Sequence, residues 1–141
     1  MQRLFILILF LPLFSFVCIS KKMKRDTIKV TNNLAEGVYV IPNFRYPDTS
    51  FDFTTREHVL ANDSIYFIQA HRTKKLFYRD LCNKNTWTYL IKSDTLQVYV
   101  FTESIIKNET WATISTEKLF LRKLVFHYND LIKNNCILTI E

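Results

Sequence analysis

Asp94-Thr95-Leu96-Gln97-Val98-Tyr99-Val100-Phe101-Thr102 is the stretch around which the remaining chain arranges itself. In extended backbone, successive side chains point to opposite faces. Leu96, Val98 and Val100 therefore share one face, and Gln97, Tyr99 and Phe101 share the other. From Val98 to Phe101 both faces are apolar. A half-exposed strand would alternate between apolar and polar. This one reads as covered on both sides and central to its sheet.

Toward the C-terminus, Glu103 to Asn108 reads as one or two helical turns. Thr110 and Thr113 are cap-forming residues and predict a helix over Trp111 to Lys118. Leu119 to Phe126 predicts a strand. Tyr128 to Asn134 predicts a short helix that Asn135 stops, and Cys136 to Ile140 predicts a closing strand.

Toward the N-terminus, Arg79 to Leu90 predicts a short helix with Asp80 near its start and Leu81, Trp87 and Leu90 as its apolar contacts. Lys74 to Tyr78 reads as an edge strand whose lysines oppose aggregation. Ser64 to Ile68 predicts a strand, and Thr54 to Asp63 is polar without a clear period. Thr27 to Thr31 alternates with Ile28 and Val30 inward, and Val38 to Ile41 returns as a second strand ended by Pro42, which has no N–H to give a ladder. Asn32 to Gly37 joins them as a turn with Gly37 at a positive φ, so the two strands predict an N-terminal hairpin.

These elements predict one mainly β domain of the α+β type over residues 21–141. It is a mostly antiparallel sheet or sandwich with a few short helices. The chain of 141 residues is 48% apolar, enough for a packed core and too apolar for disorder. Its single glycine, Gly37, excludes glycine-loop nucleotide sites and flexible linkers. The net charge of +6 favours anionic surroundings, but apart from Lys21-Lys22-Met23-Lys24-Arg25 the basic residues are scattered. With no basic helix and no aromatic ribonucleoprotein motif, no nucleic-acid partner is expected.

Met1-Gln2-Arg3 followed by the apolar run Leu4 to Val17 reads as a signal peptide over residues 1–20, cut after Ser20. Cys18 supports a second reading, a lipid-anchored cysteine, although Val17 stands where a small residue is wanted. Lys21 to Arg25 supports a third, an uncleaved segment held in the membrane, because positive charge resists translocation. The expected location is the periplasm or cell envelope, with membrane association through the N-terminal segment as the alternative.

Two cysteines follow Cys18 in the sequence, Cys82 and Cys136. In an exported domain they can close one disulfide; as two separate buried thiols they would be core residues. His58, His71 and His127 share no metal-ligand spacing, and no metal or cofactor is implied. No Gly-x-Ser-x-Gly elbow and no paired carboxylates occur, so the chain reads as a non-enzyme. The alternative is a small hydrolase-like enzyme whose site is assembled from residues distant in sequence, such as a thiol–imidazole pair. Phe44, Tyr46 and Phe51 surround the turn residues Pro47 to Ser50 and are candidate binding aromatics, with core cover as the competing role.

Five segments occur in order: Asp26 to Val30, Tyr46 to Ser50, His71 with Lys74 to Asp80, Asp94 to Leu96, and Asn129 to Leu131 with Lys133. In that order the chain resembles a family of small, uncharacterised exported or lipoprotein-like proteins of Bacteroidota. The resemblance implies export to the envelope and brings no activity, ligand or catalytic residue. It also implies that Asp-Ser/Thr-apolar triplets accept O-glycans, which makes Thr27, Ser64 and Thr95 candidate sites. Asp followed by Ser or Thr is equally ordinary turn chemistry before a strand. The expected function is an envelope domain with a binding or structural role toward a protein or glycan partner.

Overall fold

A computed structural model describes residues 27–47, 54–76, 80–91 and 93–141. The central strand, β5 (Thr95–Thr102), is buried at every position from Thr95 to Phe101. It lies inside a four-stranded sheet of order β3-β2-β5-β6, as its two apolar faces predict. β2 (Val38–Asn43) runs antiparallel along most of its length, from Val38 opposite Thr102 to Asn43 opposite Gln97. β6 (Arg122–His127) flanks its other side, and β3 (Phe67–Ile68) pairs with the start of β2. Three more strands form a second sheet of order β4-β1-β7: β4 (Arg72–Lys75), β1 (Lys29–Asn32) and β7 (Ile137–Ile140). β1 is antiparallel to β4 and parallel to β7. The mainly β, α+β fold with mostly antiparallel sheets is therefore as the sequence reads.

The sheet built on β5 has two buried faces. Val38, Val40, Leu96, Val98 and Val100 join Ile28, Val30, Leu138 and Ile140 of the second sheet in one aliphatic core. Tyr39, Ile41, Tyr99 and Phe101 form the opposite face. Short helices cover it, contributing Val59 from α1 (Arg56–Ala61), Tyr66 from α2 (Asp63–Tyr66), Ile106 from α4 (Glu103–Asn108) and Ile114 from α5 (Trp111–Glu117). Trp87 of α3 (Lys84–Leu90) and Leu131 of α6 (Tyr128–Lys133) close the aliphatic side. Helices this short do not persist alone, so their caps and buried side chains hold them. Thr55, Thr102 and Thr110 each accept a backbone N–H at the start of α1, α4 and α5.

Several elements differ from the sequence reading. β1 and β2 do not form a hairpin; they belong to different sheets, and residues 33–37 cross between them. The hub of this crossing is Asn32, fully buried. Its Nδ2 donates to the carbonyls of Glu36 (2.8 Å), Gln69 (3.2 Å) and Ile68 (3.3 Å), and its Oδ1 accepts from the Leu34 N–H. Those bonds satisfy a polar group that would otherwise be expensive to bury. Gly37 does not adopt a positive φ. Its reason is space, since a Cβ there would lie 2.3 Å from Cζ of Phe67.

Pro42 lies within β2 and does not end it. β3 reaches only Val38 and Tyr39, so β2 has one neighbour at Pro42, where a missing N–H is tolerated. The Ser64 to Ile68 strand is shortened to Phe67–Ile68. Ile65 and Tyr66 donate their N–H groups locally to the Asn62 carbonyl, which makes a helical turn first. The Leu119 to Phe126 strand starts at Arg122, because Leu119 and Phe120 pack under the aromatic face after Lys118 turns left-handed at φ 54°. α3 starts at Lys84, capped by Asn83, and Asp80 lies before it at φ 64°. The expected strand over residues 74–78 is β4 (Arg72–Lys75), and it is an edge as its lysines predict.

Candidate functional site

β3 and β4 are outer strands of different sheets, joined by residues 69–71. The hollow between these edges is a groove of about 380 Å³ lined by α2, β3 and β4. Asp63, Ser64, Gln69, Arg72, Thr73 and Lys74 supply its polar groups, and Phe67 and Ile68 its apolar surface. The chain reaches this arrangement through His71, which takes the left-handed region at φ 53° to reverse direction.

Lys74 pairs with buried Val30, so strand alternation turns it inward, away from the outer face of its sheet. Its Nζ donates to the Phe67 carbonyl at 2.7 Å and so satisfies an acceptor of the neighbouring edge. Burial holds the Lys74 ammonium below the usual lysine range, and the Asp63 carboxylate opposes that shift. Tyr39, almost fully buried, donates its hydroxyl to Asp63 Oδ1. Burial raises the Tyr39 pKa above the usual tyrosine range, and the hydrogen bond to Asp63 and the charges of Asp63 and Glu103 raise it further.

The groove therefore offers donors, acceptors and cations around a small apolar floor. That chemistry suits a polar ligand held by several hydrogen bonds. Among the described residues no hydrogen bond joins Ser64 to a histidine, lysine or carboxylate, and no group of three metal-ligating side chains occurs.

Cys82 and Cys136 form a disulfide across a sequence separation of 54 residues. It ties the loop before α3 to the start of β7, beside Trp87 and Tyr128, whose rings are 5.3 Å apart. The Tyr128 hydroxyl donates to the Cys82 carbonyl at 3.1 Å. These two sulfurs are thus a crosslink, and neither is a thiol that could pair with His71 or His127. His127 instead lies with its Nδ1 3.2 Å from the Thr95 hydroxyl, and His58 is exposed on α1.

Phe44 packs against the aliphatic core, Tyr46 is exposed, and Phe51 lies outside the described residues. Of the triplet hydroxyl residues, Ser64 is exposed on α2, Thr27 is half-buried, and Thr95 is buried at the start of β5. Cys18 and the signal segment lie outside the described residues. Among the described residues no helix is long and apolar enough to cross a membrane. The sequence reading passed over Arg72, Thr73 and the inward role of Lys74. Arg72 to Lys75 is polar at every position, so no alternation marked the side that faces the groove, and the partner strand was needed to orient it.

No family model, curated protein or solved structure matches this chain.

Proposed function

We propose that this chain is an exported cell-envelope domain that binds a glycan or protein partner through the groove beside β3 and β4, and that it is not an enzyme. The observation that carries the reading is the Cys82–Cys136 disulfide. Stable crosslinks of this kind belong to oxidising compartments. The groove supports binding because its polar groups converge on a small apolar surface. Ser64 stands exposed there as a candidate O-glycosylation site. Membrane association, where it occurs, runs through the N-terminal segment or a lipid on Cys18.

Intact mass of protein from its native host, taken with and without reductant before alkylation, tests the location. Cleavage after Ser20 with two thiols appearing only on reduction is the expected result. Free thiols in a chain retaining Met1 in the soluble cytoplasmic fraction would overturn it. A lipid mass on a chain starting at Cys18 would keep export and make the protein anchored.

A hydrolase-like reading has one observation in its favour: Ser64 and Lys74 line the same groove, and Lys74 is held below the usual lysine range. Turnover of an ester or peptide panel that disappears in both Ser64→Ala and Lys74→Met, with the fold intact, would replace the binding reading with this one.

A further inference from the structure

The second sheet has an outer face that the core does not use. Lys29 and Thr31 of β1 point to it, because the alternating Val30 and Asn32 are buried. Across β1, Lys29 stands opposite Lys75 on one side and Ile137 on the other. In the next row, Thr31 stands opposite Thr73 and Thr139. Each row crosses all three strands, with neighbours about 4.8 Å apart and the two rows about 7 Å apart. Thr31 and Thr73 share a hydrogen bond at 2.9 Å, which fixes both hydroxyls in the row.

Two lysines placed directly across a strand pair repel each other, and such pairs destabilise a sheet. A carboxylate nearby would relieve this, yet the ion pairs among the described residues, Lys107–Glu103 and Lys133–Asp130, include neither Lys29 nor Lys75. Lys29 and Lys75 are both exposed. Arg72 and Lys74 continue the cationic strip around β4 into the groove, and Thr73 belongs to both surfaces. This density of positive charge is concentrated on one strand and its neighbour in a chain of net charge +6.

We propose that this outer face binds an anionic polysaccharide, with Lys29 and Lys75 on its acidic groups and the Thr73-Thr31-Thr139 row on its hydroxyls. The proposal names the ligand class of the binding domain described above and rests on that reading. A row of hydroxyls beside a row of cations matches a polymer that itself carries hydroxyls and acidic groups. Of the exposed large apolar residues only Ile137 lies in these rows, too little to anchor a bilayer surface. Neither row holds an aromatic ring on which nucleic-acid bases could stack.

The test uses the mature, disulfide-bonded chain and polygalacturonate as probe, with neutral dextran, duplex DNA and phosphatidylglycerol vesicles alongside. Polygalacturonate is expected to bind and to lose affinity as salt rises. Lys29→Glu with Lys75→Glu is expected to weaken it by about tenfold or more, whereas Lys107→Glu with Lys118→Glu, the same charge change on the helices of the other sheet, leaves it within about threefold. Thr31→Val is expected to weaken binding severalfold without changing its salt dependence. Equal losses in the two charge-reversal pairs would overturn the proposal, as would DNA or vesicles binding as tightly as polygalacturonate. Binding of neutral dextran that survives Lys29→Glu with Lys75→Glu and is lost in Arg72→Ala would overturn this inference while leaving the groove reading intact. No binding to either polysaccharide would overturn the inference and leave a protein as the groove's partner. Circular dichroism and a thiol count on each variant separate lost binding from lost folding.

Discussion

The two faces of the β3-β2-β5-β6 sheet are held by different means. One face is aromatic: Tyr39, Tyr99 and Phe101 lie under four short helices, with Phe101 6.0 Å from the Trp111 ring and Tyr99 5.4 Å from Phe120. The other is aliphatic and lies on a second sheet of four-residue strands, crosslinked by Cys82–Cys136. Large rings bury enough surface to hold helices of four to seven residues in place. Valines and isoleucines on short strands bury less per residue, and there a covalent bond limits the unfolded chain instead. The chemistry proposed for binding lies on and beside the crosslinked sheet.

That contrast is broken most directly at Phe101. Phe101→Ala should cost about 3–5 kcal/mol, because it opens a cavity against Trp111 and Tyr99 that short capped helices cannot refill. Urea unfolding measures it, and a cost under about 1 kcal/mol would mean that the helical layer collapses onto the vacancy.

Removing the crosslink tests the opposite face. Cys82→Ala with Cys136→Ala should cost about 4 kcal/mol in the chain-entropy view of a loop of 54 residues. Hydrogen exchange should then quicken first in α3, α6 and β7 and later in α4 and α5. Uniform quickening would show that the two faces open as one unit and that the distinction has no dynamic meaning.

Gly37→Ala places a methyl group into the Phe67 ring, where the sheet joins the groove. A loss of about 2 kcal/mol is expected, read as a lower Tm. An unchanged Tm would show that Phe67 has room to turn, so that the groove floor is soft.

The smallest effect is expected at Tyr39. Tyr39→Phe removes a hydrogen bond to a carboxylate that water can still reach, so the expected loss near neutral pH is about 1 kcal/mol. The raised Tyr39 pKa fixes the sign at high pH. The fold holds the phenol proton more tightly than the unfolded chain does. Stability from this group is therefore complete below the ordinary tyrosine pKa and lost as pH rises through the folded value. The difference between wild type and Tyr39→Phe should shrink above the ordinary range. A difference that stays constant in pH-dependent unfolding would show that Tyr39 ionises as freely as in the unfolded chain.

Local patterning was enough to show which residues face inward along β5, that several short capped helices follow it, and that the fold is mainly β. These are properties of local period and cap chemistry, which a chain carries wherever it lies. Thr102 and Thr110 are examples, because their hydroxyls accept N–H groups only a few residues away. Strand pairing, in contrast, was set by contacts between distant parts of the chain. Thr27 to Ile41 looks like a hairpin locally, but Asn32 finds its acceptors near residues 36, 68 and 69, and this draws β1 into the other sheet. The same holds for the candidate site. Lys29 and Lys75 are distant in sequence and become neighbours through strand register alone, and the two cysteines meet only where the loop before α3 reaches the start of β7. Local pattern reports the face a side chain takes. Its neighbours across a sheet depend on burial and hydrogen bonding summed over the whole chain, and on that the proposed function rests.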